Sequence, residues 1–161
     1  MSLNGANASE TVSTLPDVGI RTVSYEEISQ GIEVLCQQIS ASPDGWVPDA
    51  VVAVVRGGLV PATHVCHYFE RPMYFIYNDV LLDRLDHHRR ILIVDEINDT
   101  GGAFHRIRSQ IFNQPPNDQL DVRYAVLYTR HSTSFNADYY LDFEPYYLSD
   151  ATWQNFPWER P

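Results

Sequence analysis

What most limits the folding of this chain is a pair of apolar runs with no polar side. Residues 50–55 read Ala-Val-Val-Ala-Val-Val, and residues 91–94 read Ile-Leu-Ile-Val. A strand with one wet face alternates apolar with polar residues. A run without alternation belongs to a strand covered on both faces, as in parallel sheets flanked by helices. Segments of helical periodicity stand between such runs. In residues 24–39, Ser24 and Glu27 make a capping-box pattern, and Ile28, Ile32, Leu35 and Ile39 follow at helical spacing. Helices are also expected over 60–69 and 103–112. Further strands are expected at 73–77, 123–128 and, as a short piece, 139–141. Proline, glycine and polar residues mark 41–48 as a loop and 114–118 as a turn, and 78–90 is a polar, aperiodic connection expected to be mobile. Strands alternating with helices predict an α/β fold, a parallel sheet with helices on both faces. Ligands of such sheets bind beyond the carboxyl ends of the strands. Chemistry is therefore expected just after residues 55 and 94.

A length of 161 residues suits one domain. That domain is expected over 21–161, behind a flexible N-terminal arm of residues 1–20. The arm is polar and lacks the basic start and apolar stretch of a secretory signal. No apolar run reaches the length of a membrane span, so no membrane partner is expected. The formal charge of −10 argues against nucleic acid and anionic membranes, which require basic patches. It leaves room for a small anion held by local donors. Cys36 and Cys66 sit among apolar residues without metal-type spacing. They are expected to be buried reduced thiols in a cytoplasmic protein. All 11 basic residues are arginine. The absence of lysine removes Schiff-base chemistry and the lysine of a nucleotide P-loop.

The run at 91–94 leads into Asp95, Glu96, Ile97, Asn98, Asp99, Thr100, Gly101, Gly102, Ala103 and Phe104. Backbone N–H groups at a helix start, with glycines permitting close approach, form an anion cradle, and Thr100 adds a hydroxyl. Carboxylates beside such a cradle make sense when the ligand also brings hydroxyl donors or a cation. A sugar phosphate with magnesium brings both. The run at 50–55 leads into Arg56, Gly57 and Gly58, a second place for an anion. Near the C-terminus, residues 150–159 carry Trp153, Gln154, Phe156 and Trp158, and exposed aromatic rings can stack on a planar base.

Residues 91–104 resemble the phosphoribosyl-pyrophosphate motif of the type I phosphoribosyltransferases: a hydrophobic strand, two acids, a spacer and a loop of the Asp-Thr-Gly-Gly-Thr kind. The segment Arg56-Gly57-Gly58-Leu59-Val60-Pro61 is similar to the pyrophosphate loop of the xanthine-guanine and hypoxanthine members, and the aromatic tail is similar to their ending. The resemblance spans about 51–158. It implies the family's parallel-sheet fold with a small C-terminal hood, and a homo-oligomer, dimer or tetramer. The reaction implied is transfer of the 5-phosphoribosyl group from phosphoribosyl pyrophosphate to a 6-oxopurine, with Mg2+. Asp95 and Glu96 would hold ribose and metal. Asp99, Thr100, Gly101, Gly102, Ala103 and Phe104 would hold the 5′-phosphate, and Asp99 would also handle the base proton. Arg56, Gly57 and Gly58 would bind pyrophosphate, with a non-proline cis peptide before Arg56. Arg130, Trp153 and Gln154 would bind the base. Two positions depart from the family pattern. Ala103 stands where the cradle has threonine, and Arg130 stands where a lysine donates to the 6-oxo group. The alternatives are a non-catalytic sensor of nucleotide or donor on the same fold, and transfer to a non-purine base. The histidines carry less. His64, His67 and His105 are expected to be structural, while His87 and His88 fall in the connection that closes over the site in the family.

Overall fold

The structure is a computed structural model and describes residues 19–78, 80–81, 85, 87–112 and 119–159. Most of the expected arm (1–18), the expected turn at 114–118 and part of the 78–90 connection lie outside these residues.

The elements follow in the order β1 (Gly19–Thr22), α1 (Tyr25–Ser40), β2 (Ala50–Val55), α2 (Leu59–Phe69), β3 (Met73–Tyr77), β4 (Val80–Leu81), β5 (Arg90–Asn98), α3 (Gly102–Phe112), β6 (Asp121–Arg130), β7 (Tyr147–Leu148) and β8 (Thr152–Asn155). Six strands form one sheet in the order β4-β3-β2-β5-β6-β7. Its pairs are parallel except β3 with β4. The two apolar runs lie side by side in its middle, Ala50 opposite Ile91 and Val52 opposite Ile93.

Both faces of the sheet are covered. Val51, Ala53, Leu92, Val94, Ala125 and Leu127 pack under α1 and α2, beside Ile28, Ile32, Leu35, Ile39 and Val65. Their sequence neighbours Val52, Ile91, Ile93, Tyr124 and Val126 point the other way and pack against Phe104, Ile107 and Ile111 of α3. One residue of slip would exchange the two sets. No helix among the described residues is long and apolar enough to cross a membrane.

Some expectations from the sequence are refined. Ser24 caps α1 by accepting from the Glu27 N–H at 3.1 Å. The reciprocal half of the capping box is replaced: the Glu27 carboxylate accepts from Arg21 and from the hydroxyl of Tyr128. Strand β5 runs past the apolar stretch to Asn98, so Asp95 and Glu96 lie inside a strand. The piece expected at 139–141 is a single bridge, Ala125 to Tyr139. Beyond it the edge of β6 is taken by β7, opposite Thr129 and Arg130.

A second, two-stranded sheet joins the two ends of the described chain. β1 runs parallel to β8, with Ile20 opposite Trp153 and Arg21 opposite Gln154. This is the C-terminal hood, and the first two residues of β1 are the last two of the expected arm. Arg21 ties the hood to the main sheet. It donates to Gln154 Oε1 at 3.0 Å and to Glu27, which also holds Tyr128 of β6. Tyr146 donates to the backbone oxygen of Glu27 at 2.7 Å.

Candidate functional site

Strands β2 and β5 are neighbours and parallel, so the loops after them open on the same edge of the sheet. The first loop begins with a cis peptide between Val55 and Arg56, as the resemblance implies. Arg56 is exposed. Gly58 caps α2 without any side-chain hydrogen bond. A Cβ on Gly58 would stand 2.5 Å from the Val94 carbonyl and 2.7 Å from that of Val54, so the backbone there admits only glycine. A Cβ on Gly57 would stand 1.8–2.0 Å from the carboxylate of Glu96. That near-coincidence fixes the relation of the two loops. The acid at the end of β5 lies over the bare backbone of the loop after β2.

Asp95 is 8% exposed, and its Oδ1 accepts from the Glu96 N–H at 2.8 Å. A buried carboxylate in a strand would be costly without partners. Here it is oriented by its own chain and lies one residue from Glu96. Among the described residues no three or more His, Cys, Asp or Glu side chains converge as a metal cage. A pair of acids fits the way magnesium is usually held, by one or two carboxylates together with substrate oxygens and water.

Gly101 has φ of +86°, and a Cβ there would meet the 134–135 backbone and side chains at 2.7–2.9 Å. It turns the chain from Thr100 into α3, where His105 N–H closes on the Gly101 carbonyl at 3.0 Å. Thr100 Oγ1 accepts from the Gly102 N–H at 3.3 Å. The loop is braced from behind. Ser134 donates to the Thr100 carbonyl through both its N–H (3.1 Å) and its hydroxyl (2.8 Å). Asn98 donates to the Phe135 carbonyl at 2.7 Å and accepts from Thr133 at 2.9 Å. Phe104 is 2% exposed and packs against Tyr124 and Phe135. Its side chain is core, and only its backbone is left for a phosphate.

Arg130 ends β6 and is 7% exposed. Its Nε donates to Oδ1 of Asp99. Its Nη1 donates to the carbonyls of Ser149 (3.1 Å) and Thr152 (2.9 Å). The residue therefore joins the proposed proton carrier to the loop that leads into β8. On β8, alternation separates the remaining two candidates. Trp153 is 52% exposed beside Ile20, whereas Gln154 is 2% exposed and turned inward to Arg21. Gln154 can meet a base only through its backbone.

The sequence reading overlooked Arg106. It stands four residues after Gly102 on α3, and its Nη1 lies 3.1 Å from where a Cβ on Gly102 would be. The signal was present in the spacing, because helical side chains lean toward the N-terminus and residue i+4 covers residue i.

No protein-family model matches the chain, and no curated protein matches it either. Solved structures do. The purine phosphoribosyltransferase of Pyrococcus horikoshii superposes with a TM-score of 0.69 at 23% identity, over 88% of this chain and 95% of that one. The xanthine-guanine-hypoxanthine phosphoribosyltransferase of Helicobacter pylori superposes with a TM-score of 0.69 at 27% identity, over 87% of this chain and 93% of that one. A hypothetical protein of Neisseria gonorrhoeae with bound ppGpp also superposes at 0.69, with 20% identity, over 88% and 90% of the two chains.

Proposed function

We propose that this chain, which has the type I phosphoribosyltransferase fold, transfers the 5-phosphoribosyl group of phosphoribosyl pyrophosphate to a 6-oxopurine and releases pyrophosphate. The observation that carries the proposal is the meeting of two anion-type loops through Glu96 and Gly57. A ligand with an anion at each end and hydroxyls between them matches that arrangement.

In this reaction the bond from ribose C1 to the pyrophosphate oxygen breaks while the bond to the base nitrogen forms, and positive charge grows on the ribose ring between those events. Arg56 and the backbone of Gly57 and Gly58 receive the departing pyrophosphate. Asp95 and Glu96 accept from the ribose hydroxyls. Thr100 and the backbone of residues 101–104 hold the 5′-phosphate at the start of α3. Magnesium, when bound, would be held by Asp95 and Glu96 with the donor's oxygens and would offset the pyrophosphate charge. Asp99 takes or steadies the proton of the base nitrogen. Arg130 keeps Asp99 and the 149–152 loop in place, and its Nη2 is the donor left for the 6-oxo oxygen. Trp153 offers an exposed ring for stacking.

The test is to incubate the protein with donor and magnesium and, separately, hypoxanthine, guanine, xanthine and adenine. Pyrophosphate release is expected with one or more of the 6-oxopurines and not with adenine. Release with none of the bases would overturn the transfer reading. A second reading rests on the Asp99–Arg130 ion pair, which engages the proton carrier within the protein. On that reading the chain binds donor or nucleotide as a sensor. Tight donor binding without turnover would select it, and turnover with a non-purine base alone would select a different acceptor.

A further inference from the structure

The two strands of the hood divide their side chains between two faces. Arg21 and Gln154 stand opposite each other and turn inward, joined by their hydrogen bond. Alternation sends Ile20 and Trp153, also opposite each other, to the other face. There they remain 75% and 52% exposed. A β-branched residue and an aromatic one in register on neighbouring strands pack on each other. That contact does not account for an isoleucine left so largely in water. Single exposed apolar residues are ordinary, but an isoleucine in register with a tryptophan makes one continuous apolar surface.

The surface stands within one arginine's span of the donor loops. Thr152, the residue before Trp153, has its carbonyl bound by Nη1 of Arg130 at 2.9 Å, and Nε of the same side chain donates to Asp99. A planar ring lying on Trp153 is thereby tied to the loop that would handle its proton. Neighbouring strands lie about 4.8 Å apart, so Ile20 adds about that width of apolar surface beside the indole. Aromatic rings stack offset, not in full register. A two-ring base on the indole therefore overhangs it, and a one-ring base does not.

We propose that Ile20 is a binding residue for the base, forming with Trp153 one stacking platform that favours two-ring bases over one-ring bases. The indole lies under the ring system, and the isoleucine meets the part that overhangs. The proposal rests on the phosphoribosyl reading above. It makes the last residue of the expected N-terminal arm part of the site, and makes the choice of base depend on both ends of the described chain.

Calorimetric titration of the full chain with guanosine 5′-monophosphate, uridine 5′-monophosphate and ribose 5-phosphate, each with magnesium, tests it. Ribose 5-phosphate reports the sugar and phosphate alone, so the excess affinity of each nucleotide reports its base. Ile20→Thr keeps a β-branched residue on the strand and removes apolar surface. It is expected to weaken guanosine monophosphate by about 4- to 15-fold, the range for one or two methyl-sized groups withdrawn from contact. Ribose 5-phosphate should be unchanged, and uridine monophosphate should change by less than about twofold on the same scale. Ile20→Val should fall between wild type and Ile20→Thr. The melting temperature should hold in both variants, because Ile20 lies outside the core. Unchanged guanosine monophosphate binding in Ile20→Thr, in a protein whose wild type binds it, overturns the role of Ile20 and leaves the proposed function standing. If that variant instead dissociates an oligomer in sedimentation, the surface is a contact between copies and the proposal is likewise overturned. Equal losses for all three ligands would also overturn it, since they would report damage to the fold. Failure of the wild type to bind any of the three overturns both readings.

Discussion

Gly57 and Gly58 are adjacent, yet alanine should do different damage at each. At Gly57 the added methyl meets only the end of the Glu96 side chain, which can swing away. Gly57→Ala should therefore fold with a nearly unchanged melting temperature while donor affinity falls, because the acid is pushed off its place. At Gly58 the methyl meets the carbonyls of Val54 and Val94. Backbone cannot swing away, so Gly58→Ala should cost about 1–3 kcal/mol of stability in urea titration. Equal thermal loss in both variants would show that Glu96 is more firmly seated than its geometry implies. Asp99→Asn separates proton handling from architecture. Asparagine still offers an oxygen to Arg130, so donor binding should change little while kcat falls by about 10²–10⁴. Unchanged turnover would remove Asp99 from the proton step. Single positions were legible in the sequence where the backbone carries the message. The glycine turn at 101–102 and the break of the strand at Arg56 were both legible there. Side-chain direction was not. Whether Gln154 or Trp153 faces the solvent depends on where β1 lies, and β1 contains only a short, weakly patterned stretch.

The hood is fastened to the sheet chiefly through Glu27. Arg21 of β1 and the hydroxyl of Tyr128 in β6 both donate to its carboxylate, and Tyr146 donates to its backbone oxygen. Tyr128 is 0% exposed, so losing its acceptor strands a buried hydroxyl. Glu27→Ala is expected to cost about 2–3 kcal/mol in urea unfolding, less than a fully buried ion pair because Arg21 remains partly exposed. Glu27→Gln, which keeps an acceptor, should cost about half as much. Base binding should weaken more than donor binding in both variants, since Trp153 rides on the strand that β1 holds. A change below about 0.5 kcal/mol for Glu27→Ala would mean that apolar packing of Val23 and Phe156 holds the hood instead. The sequence pattern at Ser24 and Glu27 located this helix start correctly. Capping explains only Ser24, however, because the carboxylate is claimed by Arg21 of β1 and by Tyr128, which is 101 positions further along the chain. Helices and central strands were legible because burial on two faces leaves a periodic trace. β4 and β7 are two-residue edge strands that leave none.

The fold as a whole should be more sensitive to base than to moderate acid. Burial pushes the Cys36 thiol up to about 12 and the Cys66 thiol to about 11. It also pushes the Tyr124 phenol up to about 12. Tyr128 is raised further by burial and by its bond to Glu27. In each case the folded chain keeps a proton that the unfolded chain releases, so the unfolded state binds fewer protons once the pH passes the ordinary thiol and phenol values. Stability is then lost as pH rises, by up to about 1.4 kcal/mol per pH unit for each group. The melting temperature should hold steady from pH 7 to 8 and drop steeply between 9 and 11. Thiol reagents at pH 8 should label neither cysteine until the chain is unfolded. A flat profile to pH 11 would mean that these groups ionise where they lie. The same closed architecture sets an order of events during synthesis. Gly19 pairs with Thr152 and Arg21 with Gln154, 133 positions later. The loops after β2 and β5 have all their braces once Ser134 and Phe135 have been added behind Thr100 and Asn98. Trp153 comes later, on β8, and that strand pairs with β1 from the other end of the described chain. The newborn chain would thus complete its candidate phosphate loops before it completes its candidate base site.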